Sequence, residues 1–156
     1  MVIIEMENGD IMKVQLCPEQ APITCANFEK LVKEGFYDGL TFHRVIPGFM
    51  VQGGDPEGTG MGGSKETIRG EFRSNGINNT ISHKRGVISM ARTSAPNSAS
   101  SQFFIMHADG EFLDGNYAAF GYVTDGIEAV DHIAAVRCDG RDMPLVPVRI
   151  KRITLA

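Results

Sequence analysis

The sequence predicts a mainly β domain, a barrel or a sandwich, that also contains two helices. Eighteen glycines and seven prolines in 156 residues indicate a fold with many turns. Between these turn residues lie short segments rich in β-branched and apolar residues, and only two segments have the periodicity of a helix. No repeat or linker interrupts the chain. Because its length suits one domain, we expect residues 1–156 to form a single domain.

The first predicted element is a β-hairpin. Val2–Met6 is apolar with high β-propensity, and Ile11–Leu16 carries apolar residues at alternate positions. Asn8-Gly9 separates the two runs, and Asn-Gly between strands is a strong hairpin signal. We therefore expect the chain to begin with an antiparallel pair of strands.

Two segments predict helices. Pro22 suits the first turn of a helix, where a missing N–H costs nothing. Phe28, Leu31 and Val32 then form one apolar stripe at i, i+3 and i+4. Residues 127–136 repeat the same pattern and predict the second helix. Short runs typical of strands account for most of the remainder: 41–46, 49–52, 86–91, 102–106, 120–124 and 146–153.

A glycine-rich segment at 53–63 contains the pattern G-x-G-x-x-G at Gly58–Gly63. This pattern binds dinucleotides only where a strand precedes it and a helix follows. Gly54-Asp55-Pro56 precedes it, and no amphipathic segment follows. We therefore interpret it as a loop and expect no cofactor.

Composition narrows the classes of partner. The net charge of -4 and the pI of about 5.5 disfavour nucleic-acid binding. The three cysteines lack C-x-x-C spacing and the four histidines lack zinc-ligand spacing, so we expect reduced thiols and no metal. No apolar run is long enough for a membrane span, and the N-terminus lacks the pattern of a signal peptide. We expect a cytoplasmic protein, with a monomer as the default.

Four sequence blocks, in order along the chain, resemble the cyclophilin type of peptidyl-prolyl cis-trans isomerase. They are Phe42–Asp55 (FHRVIPGFMVQGGD), Gly86–Ala91 (GVISMA), Ser101–Ile105 (SQFFI), and Phe112–Gly115 (FLDG) followed by Phe120-Gly121. With the flanking elements, the resemblance covers essentially the whole chain. It implies a closed antiparallel eight-stranded β-barrel capped by two α-helices, with a groove on its outer surface. It also implies proline-containing peptides and unfolded proteins as partners.

The resemblance assigns roles to individual residues. Arg44 matches the catalytic arginine, Phe49 lies beside it in the proline pocket, and Gln52 orients the arginine or bonds the substrate backbone. A guanidinium suits the reaction because rotation about X–Pro makes the proline nitrogen pyramidal and more basic, so a fixed donor stabilises the twisted bond preferentially. The substrate-binding residues implied are Met50, Ala91, Arg92, Gln102, Phe104, Phe112, Leu113 and Tyr117.

Three of these positions depart from the usual family residue. Arg92 stands where Asn is common, and we expect the backbone of Ala91 and Arg92 still to pair with an extended peptide. The Arg92 side chain then alters the preference for neighbouring substrate residues. Phe112 replaces a Trp, which predicts weaker binding of cyclosporin, and Tyr117 replaces a His with another flat ring that has a polar end.

Two other functions compete with an active isomerase. One is a binding module that holds proline-containing segments with only incidental turnover. The other is an unrelated enzyme, such as a hydrolase. Arg44 together with Phe49 and Phe104 favours the isomerase over the binding module. The absence of a G-x-S-x-G motif or another activated nucleophile disfavours the hydrolase.

Overall fold

The computed structural model describes all residues, Met1–Ala156, and contains eight strands and two α-helices. All seven strand pairings are antiparallel, in the order β3-β4-β6-β5-β7-β2-β1-β8. The mainly β prediction with two helices is therefore confirmed. The elements are β1 (Val2–Met6), β2 (Ile11–Leu16), α1 (Pro22–Lys33), β3 (Phe42–Ile46), β4 (Met50–Gly53), β5 (Val87–Met90), β6 (Phe103–Met106), β7 (Ala119–Asp125), α2 (Ile127–Ala134) and β8 (Ile150–Leu155).

The predicted closure of the barrel is wrong, because the ladder is open between β3 and β8. These two strands are the edges of the sheet. A single β-bridge, between Thr41 just before β3 and Arg149 just before β8, connects them. The predicted last strand, 146–153, begins only at Ile150. Pro147 has no N–H to donate to a ladder, so an irregular segment occupies the seam instead. Isolated hydrogen bonds join this part of the chain to β3. In one of them the Val45 N–H donates to the Asp142 carbonyl at 2.8 Å.

The core is built around aromatic side chains. The Phe28 ring lies 5.1 Å from Tyr37, 5.1 Å from Phe120 and 5.7 Å from Phe103, measured between ring centroids. All four side chains are fully buried. Phe28 belongs to the apolar stripe predicted for α1, which therefore packs on the inner face of the sheet. No helix in the chain has the length and apolar character needed to cross a membrane.

The N-terminus of α1 is capped from a distant part of the chain. Ala21 precedes the helix and offers no side-chain acceptor. The Glu71 carboxylate replaces it, accepting from the Thr24 backbone N–H at 2.6 Å and from its hydroxyl at 2.7 Å. Glu71 is buried, and a carboxylate at this end of a helix also meets the positive end of the helix dipole. The contact joins α1 to the loop before β5.

A second, smaller apolar cluster lies outside the main core and positions the candidate site. It contains residues of β4, β5, β6 and β7, with Phe49, Ala91 and Tyr117 packed at its edge. Its buried members are Met50, Val87, Phe104, Met106, Leu113 and Ala119.

We predict that Glu71→Ala lowers the free energy of unfolding by about 1–3 kcal/mol, because it leaves buried donors of α1 unpaired. Glu71→Gln retains an acceptor oxygen and is expected to lose less. Denaturant unfolding measures both changes.

Glu66→Ala is the matched control, because Glu66 is exposed and its nearest ion-pair contact, with Lys30, is 3.9 Å. We expect it to change the unfolding free energy by less than about 0.5 kcal/mol. Equal effects at Glu71 and Glu66 would contradict the capping role.

Candidate active site

The site is a cavity of about 120 Å³ on the outer surface of the sheet. Nine residues line it, and all nine were predicted from the sequence. Six of them are hydrophobic. The lining residues are Arg44, Phe49, Met50, Gln52, Ala91, Arg92, Phe104, Leu113 and Tyr117.

Strand register brings the central three residues together. Arg44 on β3 is paired with Gln52 on β4, and Gln52 is paired with Phe104 on β6. Paired residues project from the same face of a sheet, so the three side chains form a row across the strands. The neighbours Val45 and Val51 point the opposite way and are fully buried in the main core.

A series of hydrogen bonds extends from the guanidinium into the glycine-rich loop. Arg44 Nη1 donates to Gln52 Oε1 at 3.4 Å, and Gln52 Nε2 donates to Gln102 Oε1 at 3.0 Å. Gln102 Nε2 then donates to the carbonyl oxygens of Gly62 at 2.7 Å and Gly60 at 3.0 Å. The two glutamines therefore connect the arginine to a fixed backbone, which restricts its rotamers.

The loop itself is held by Asp55. Its carboxylate accepts backbone N–H groups from Glu57 at 2.8 Å, Thr59 at 3.1 Å, Gly60 at 2.6 Å and Gly62 at 3.1 Å. Burial alone would raise the pKa of Asp55, but these four bonds lower it below its ordinary value.

This arrangement explains the G-x-G-x-x-G pattern without a nucleotide. A Cβ at Gly62 would overlap the carboxylates of Asp55 and Glu57, and one at Gly63 would overlap the Ser100 hydroxyl. Close approach of side chains of the same chain therefore favours glycine at Gly62 and Gly63, and a left-handed φ of 68° and 93° favours it at Gly58 and Gly60.

The side chain of Arg92 stacks on, and donates hydrogen bonds to, other residues of the same chain. Its guanidinium carbon lies 4.7 Å from the Phe72 ring centroid and 4.9 Å from that of Tyr117. Its Nε and Nη2 donate to the Asn116 carbonyl at 3.0 and 2.7 Å. Stacking between two rings fixes the Tyr117 side of the pocket.

Two predicted residues lie beside the cavity. Gln102 lines an adjoining cavity of about 270 Å³, together with the glycine-rich loop, Ala91 and Arg92. Phe112 is 73% exposed, and its ring centroid lies 5.5 Å from that of Phe49. Phe112 therefore extends the apolar surface of Phe49 at the rim.

The sequence analysis missed a buried polar series behind Phe104. His83 Nδ1 lies 2.8 Å from Asp114 Oδ1, and His83 Nε2 lies 2.9 Å from Ser89 Oγ. The imidazole stacks on Phe104 with centroids 6.0 Å apart. Burial lowers the pKa of His83 despite the opposing effect of Asp114, so the ring is neutral at pH 7. The order Asp-His-Ser resembles that of hydrolases, but Ser89 is fully buried and cannot reach a substrate.

A larger cavity of about 590 Å³ lies elsewhere, between the β1–β2 turn, the end of α2 and residues 145–149. None of the predicted site residues lines it. Two of its charged lining residues are neutralised within the chain, because His132 contacts Asp10 at 2.8 Å and Arg149 contacts Glu7 at 3.8 Å. The smaller cavity is therefore the better candidate, since its polar groups converge on an apolar hollow.

Comparison with known proteins agrees with this geometry. The sequence model of the family described as cyclophilin type peptidyl-prolyl cis-trans isomerase/CLD matches residues 1–155. The chain is 45% identical to peptidyl-prolyl cis-trans isomerase ppi1 of Schizosaccharomyces pombe over 150 residues, 96% of this chain and 94% of that protein. It is 50% identical to peptidyl-prolyl cis-trans isomerase B of Bacillus subtilis over 123 residues, 79% of this chain and 82% of that protein.

The fold is also similar to that of a solved structure. The cyclophilin type isomerase of Cryptosporidium parvum, crystallised in the presence of the dipeptide Ala-Pro, superimposes with a TM-score of 0.91 and 34% identity. The match covers 99% of this chain and 98% of that one. The chain therefore belongs to the cyclophilin family and is an enzyme of the peptidyl-prolyl cis-trans isomerase class.

Proposed function

We propose that this enzyme rotates X–Pro bonds in flexible or unfolded proteins by a non-covalent mechanism in which Arg44 stabilises the twisted imide. The single observation that carries the proposal is the position of Arg44 on the rim of an apolar cavity lined by Phe49 and Phe104. A proline ring is apolar and rigid, so aromatic and thioether walls suit it.

The size of the required effect fits one charged donor. The barrier to rotation is about 18–20 kcal/mol, which gives exchange in tens of seconds. Reaching milliseconds needs about 10⁴-fold acceleration, or roughly 5–6 kcal/mol. A preorganised charged donor in a partly dry groove lowers the barrier by several kcal/mol, which is most of that amount. Such a mechanism requires no covalent intermediate.

In the proposed mechanism Arg44 distinguishes the twisted from the planar bond. In the planar ground state, the lone pair of the proline nitrogen is delocalised into the carbonyl and accepts poorly. As the bond rotates, the nitrogen becomes pyramidal and accepts a hydrogen bond from the guanidinium. Gln52 supports this step because its side-chain oxygen holds Nη1 of Arg44, so less reorganisation accompanies the reaction.

The peptide backbone is proposed to pair with the chain at Ala91 and Arg92. The Ala91 N–H already donates to the Gln102 carbonyl at 3.0 Å. The Ala91 carbonyl and the Arg92 N–H take part in no backbone hydrogen bond, so both are available to an extended segment. Because the Arg92 side chain is bonded internally, its contribution is to hold Tyr117 rather than to select substrate residues.

We further propose a monomer that acts in the cytoplasm and binds cyclosporin weakly. One chain supplies all nine residues of the cavity, which supports the monomer.

Three free thiols suit a reducing compartment, which supports the cytoplasmic location. Phe112 lacks the indole N–H and the larger ring of Trp, which supports weak cyclosporin binding.

We predict that Arg44→Ala lowers kcat/KM for a proline peptide by about 10²–10³-fold, because the charged donor is lost. Arg44→Lys is expected to recover only part of the loss, since an ammonium lacks the planar fork. Exchange NMR on a short proline peptide measures turnover without a coupled protease.

Arg152→Ala is the control, because Arg152 on β8 does not line the cavity and pairs with Glu5 at 2.9 Å. Full turnover by a folded Arg44→Ala protein would refute the mechanism. Peptide binding without turnover by the wild type would indicate the binding-module function instead.

We predict that Phe112→Trp tightens cyclosporin binding by about tenfold, the value of one added hydrogen bond and some contact area. Isothermal titration calorimetry measures the affinity. Leu145→Trp, at an exposed position in the larger cavity, is the control and is expected to leave it unchanged. Unchanged affinity in Phe112→Trp would mean that this side chain does not face the ligand.

A further inference from the structure

Phe49, which forms one wall of the proposed proline pocket, lies in a tight turn between β3 and β4. The Phe49 N–H donates to the Ile46 carbonyl at 3.0 Å, with Pro47 and Gly48 between them. Gly48 has a φ of 77°, as expected at the third position of a type II turn. The Gly48 N–H is not used in the turn itself, and it lies at an exposed position where it can donate to a side chain.

His107, directly after β6, supplies that acceptor. Its Nδ1 accepts from the Gly48 N–H at 2.9 Å, and its own backbone N–H donates to the Phe49 carbonyl at 2.9 Å. The same residue therefore holds the backbone on both sides of the Phe49 side chain. No other side chain bonds the backbone of this turn.

The opposite nitrogen of His107 fixes its tautomer. Nε2 lies 3.1 Å from Asp131 Oδ1 on α2, and the Arg85 guanidinium contacts both Asp131 oxygens at 2.7 and 2.8 Å. The bonds from Arg85 hold the pKa of Asp131 below its ordinary value, so this carboxylate is an acceptor. Nε2 must therefore carry the proton, which leaves Nδ1 with a lone pair toward Gly48.

We propose that His107 is a positioning residue for the isomerase site: its neutral Nε2–H tautomer holds the turn that places Phe49 against the proline ring, and protonation of Nδ1 releases that turn. The inference rests on the function proposed above. It adds a pH-dependent control of substrate binding that the catalytic arginine, which stays charged, does not provide.

The direction of the pH effect follows from the two contacts of the ring. A proton on Nδ1 sets an N–H against the Gly48 N–H, which removes that hydrogen bond and makes the contact repulsive. Asp131 attracts the charged ring from α2, and Arg85, in the loop before β5, opposes it. The turn contributes no titratable side chain. Protonation of Nδ1 is therefore expected to weaken binding of the proline ring.

Two substitutions of His107 test the roles of its two ring nitrogens separately. His107→Asn can place an amide oxygen near the position of Nδ1 and keep the acceptor for Gly48. His107→Gln can reach Asp131 but removes the side-chain acceptor of the Gly48 N–H, which then donates only to water. At pH 7.5 we expect His107→Gln and His107→Ala to raise KM about 3- to 10-fold with little change in kcat, and His107→Asn to recover most of the loss. Equal defects in Asn and Gln variants of equal thermal stability would overturn the proposal.

The pH profile provides the second readout. For the wild type we expect acidification to raise KM about 3- to 10-fold and to shift the Gly48 amide resonance in parallel with KM. His107→Asn retains His83 behind Phe104, so it controls for titration of that ring. Identical profiles in the wild type and His107→Asn would overturn the proposal.

The proposed function and this inference can fail separately. If Arg44→Ala turns over peptide as fast as the wild type, the catalytic mechanism fails. The Gly48 resonance and the peptide dissociation constant still report on His107 in that case. If Arg44 is essential and the Gly48 resonance does not titrate, only the role of His107 is refuted.

Discussion

The site depends on the antiparallel register of three strands, β3, β4 and β6. That register sets a cation, an amide and an aromatic ring side by side on the outer face, while the intervening residues fill the core. A slip of one residue would turn Arg44 inward and Val45 outward. The same ladder therefore determines both the packing of the fold and the alignment of the proposed reaction. The geometry of the proposed site is therefore set by main-chain hydrogen bonds between strands.

Behind this row, each wall of the pocket has a polar support of its own. His83 backs Phe104, His107 holds the turn of Phe49, and Arg92 stacks on Tyr117. The glutamine pair does the same for Arg44. Because the three aromatic walls and the arginine are held by hydrogen bonds or stacking within the protein, the hollow keeps its shape without a bound ligand. Preorganisation of this kind lowers the entropic cost of binding a small rigid ring.

Much of this arrangement could be predicted from the sequence, because it follows from local patterns and long motifs. The hairpin at Asn8-Gly9 and the apolar stripe of α1 are local, and the nine lining residues come from the motif blocks and their flanks. The open seam depends on which distant segments meet, which no local pattern determines. The late start of β8 has a local signal in Pro147, which the run of apolar residues at 146–153 outweighed in the prediction. The internal use of Arg92 depends in the same way on Phe72, twenty residues earlier. His107 lies two residues beyond the motif block that ends at Ile105, and nothing in its spacing indicates Gly48 or Asp131.

The pairing of β1 with β8 has a consequence for synthesis of the chain. Val2 lies opposite Leu155, so the first strand made waits for the last one before its second edge is covered. Until β8 has emerged from the ribosome, a nascent chain exposes the β1 edge to its neighbours. Contacts so distant in sequence also slow the search for the native state. During synthesis the chain therefore passes through a state with one uncovered strand edge, which lasts until β8 can pair with β1.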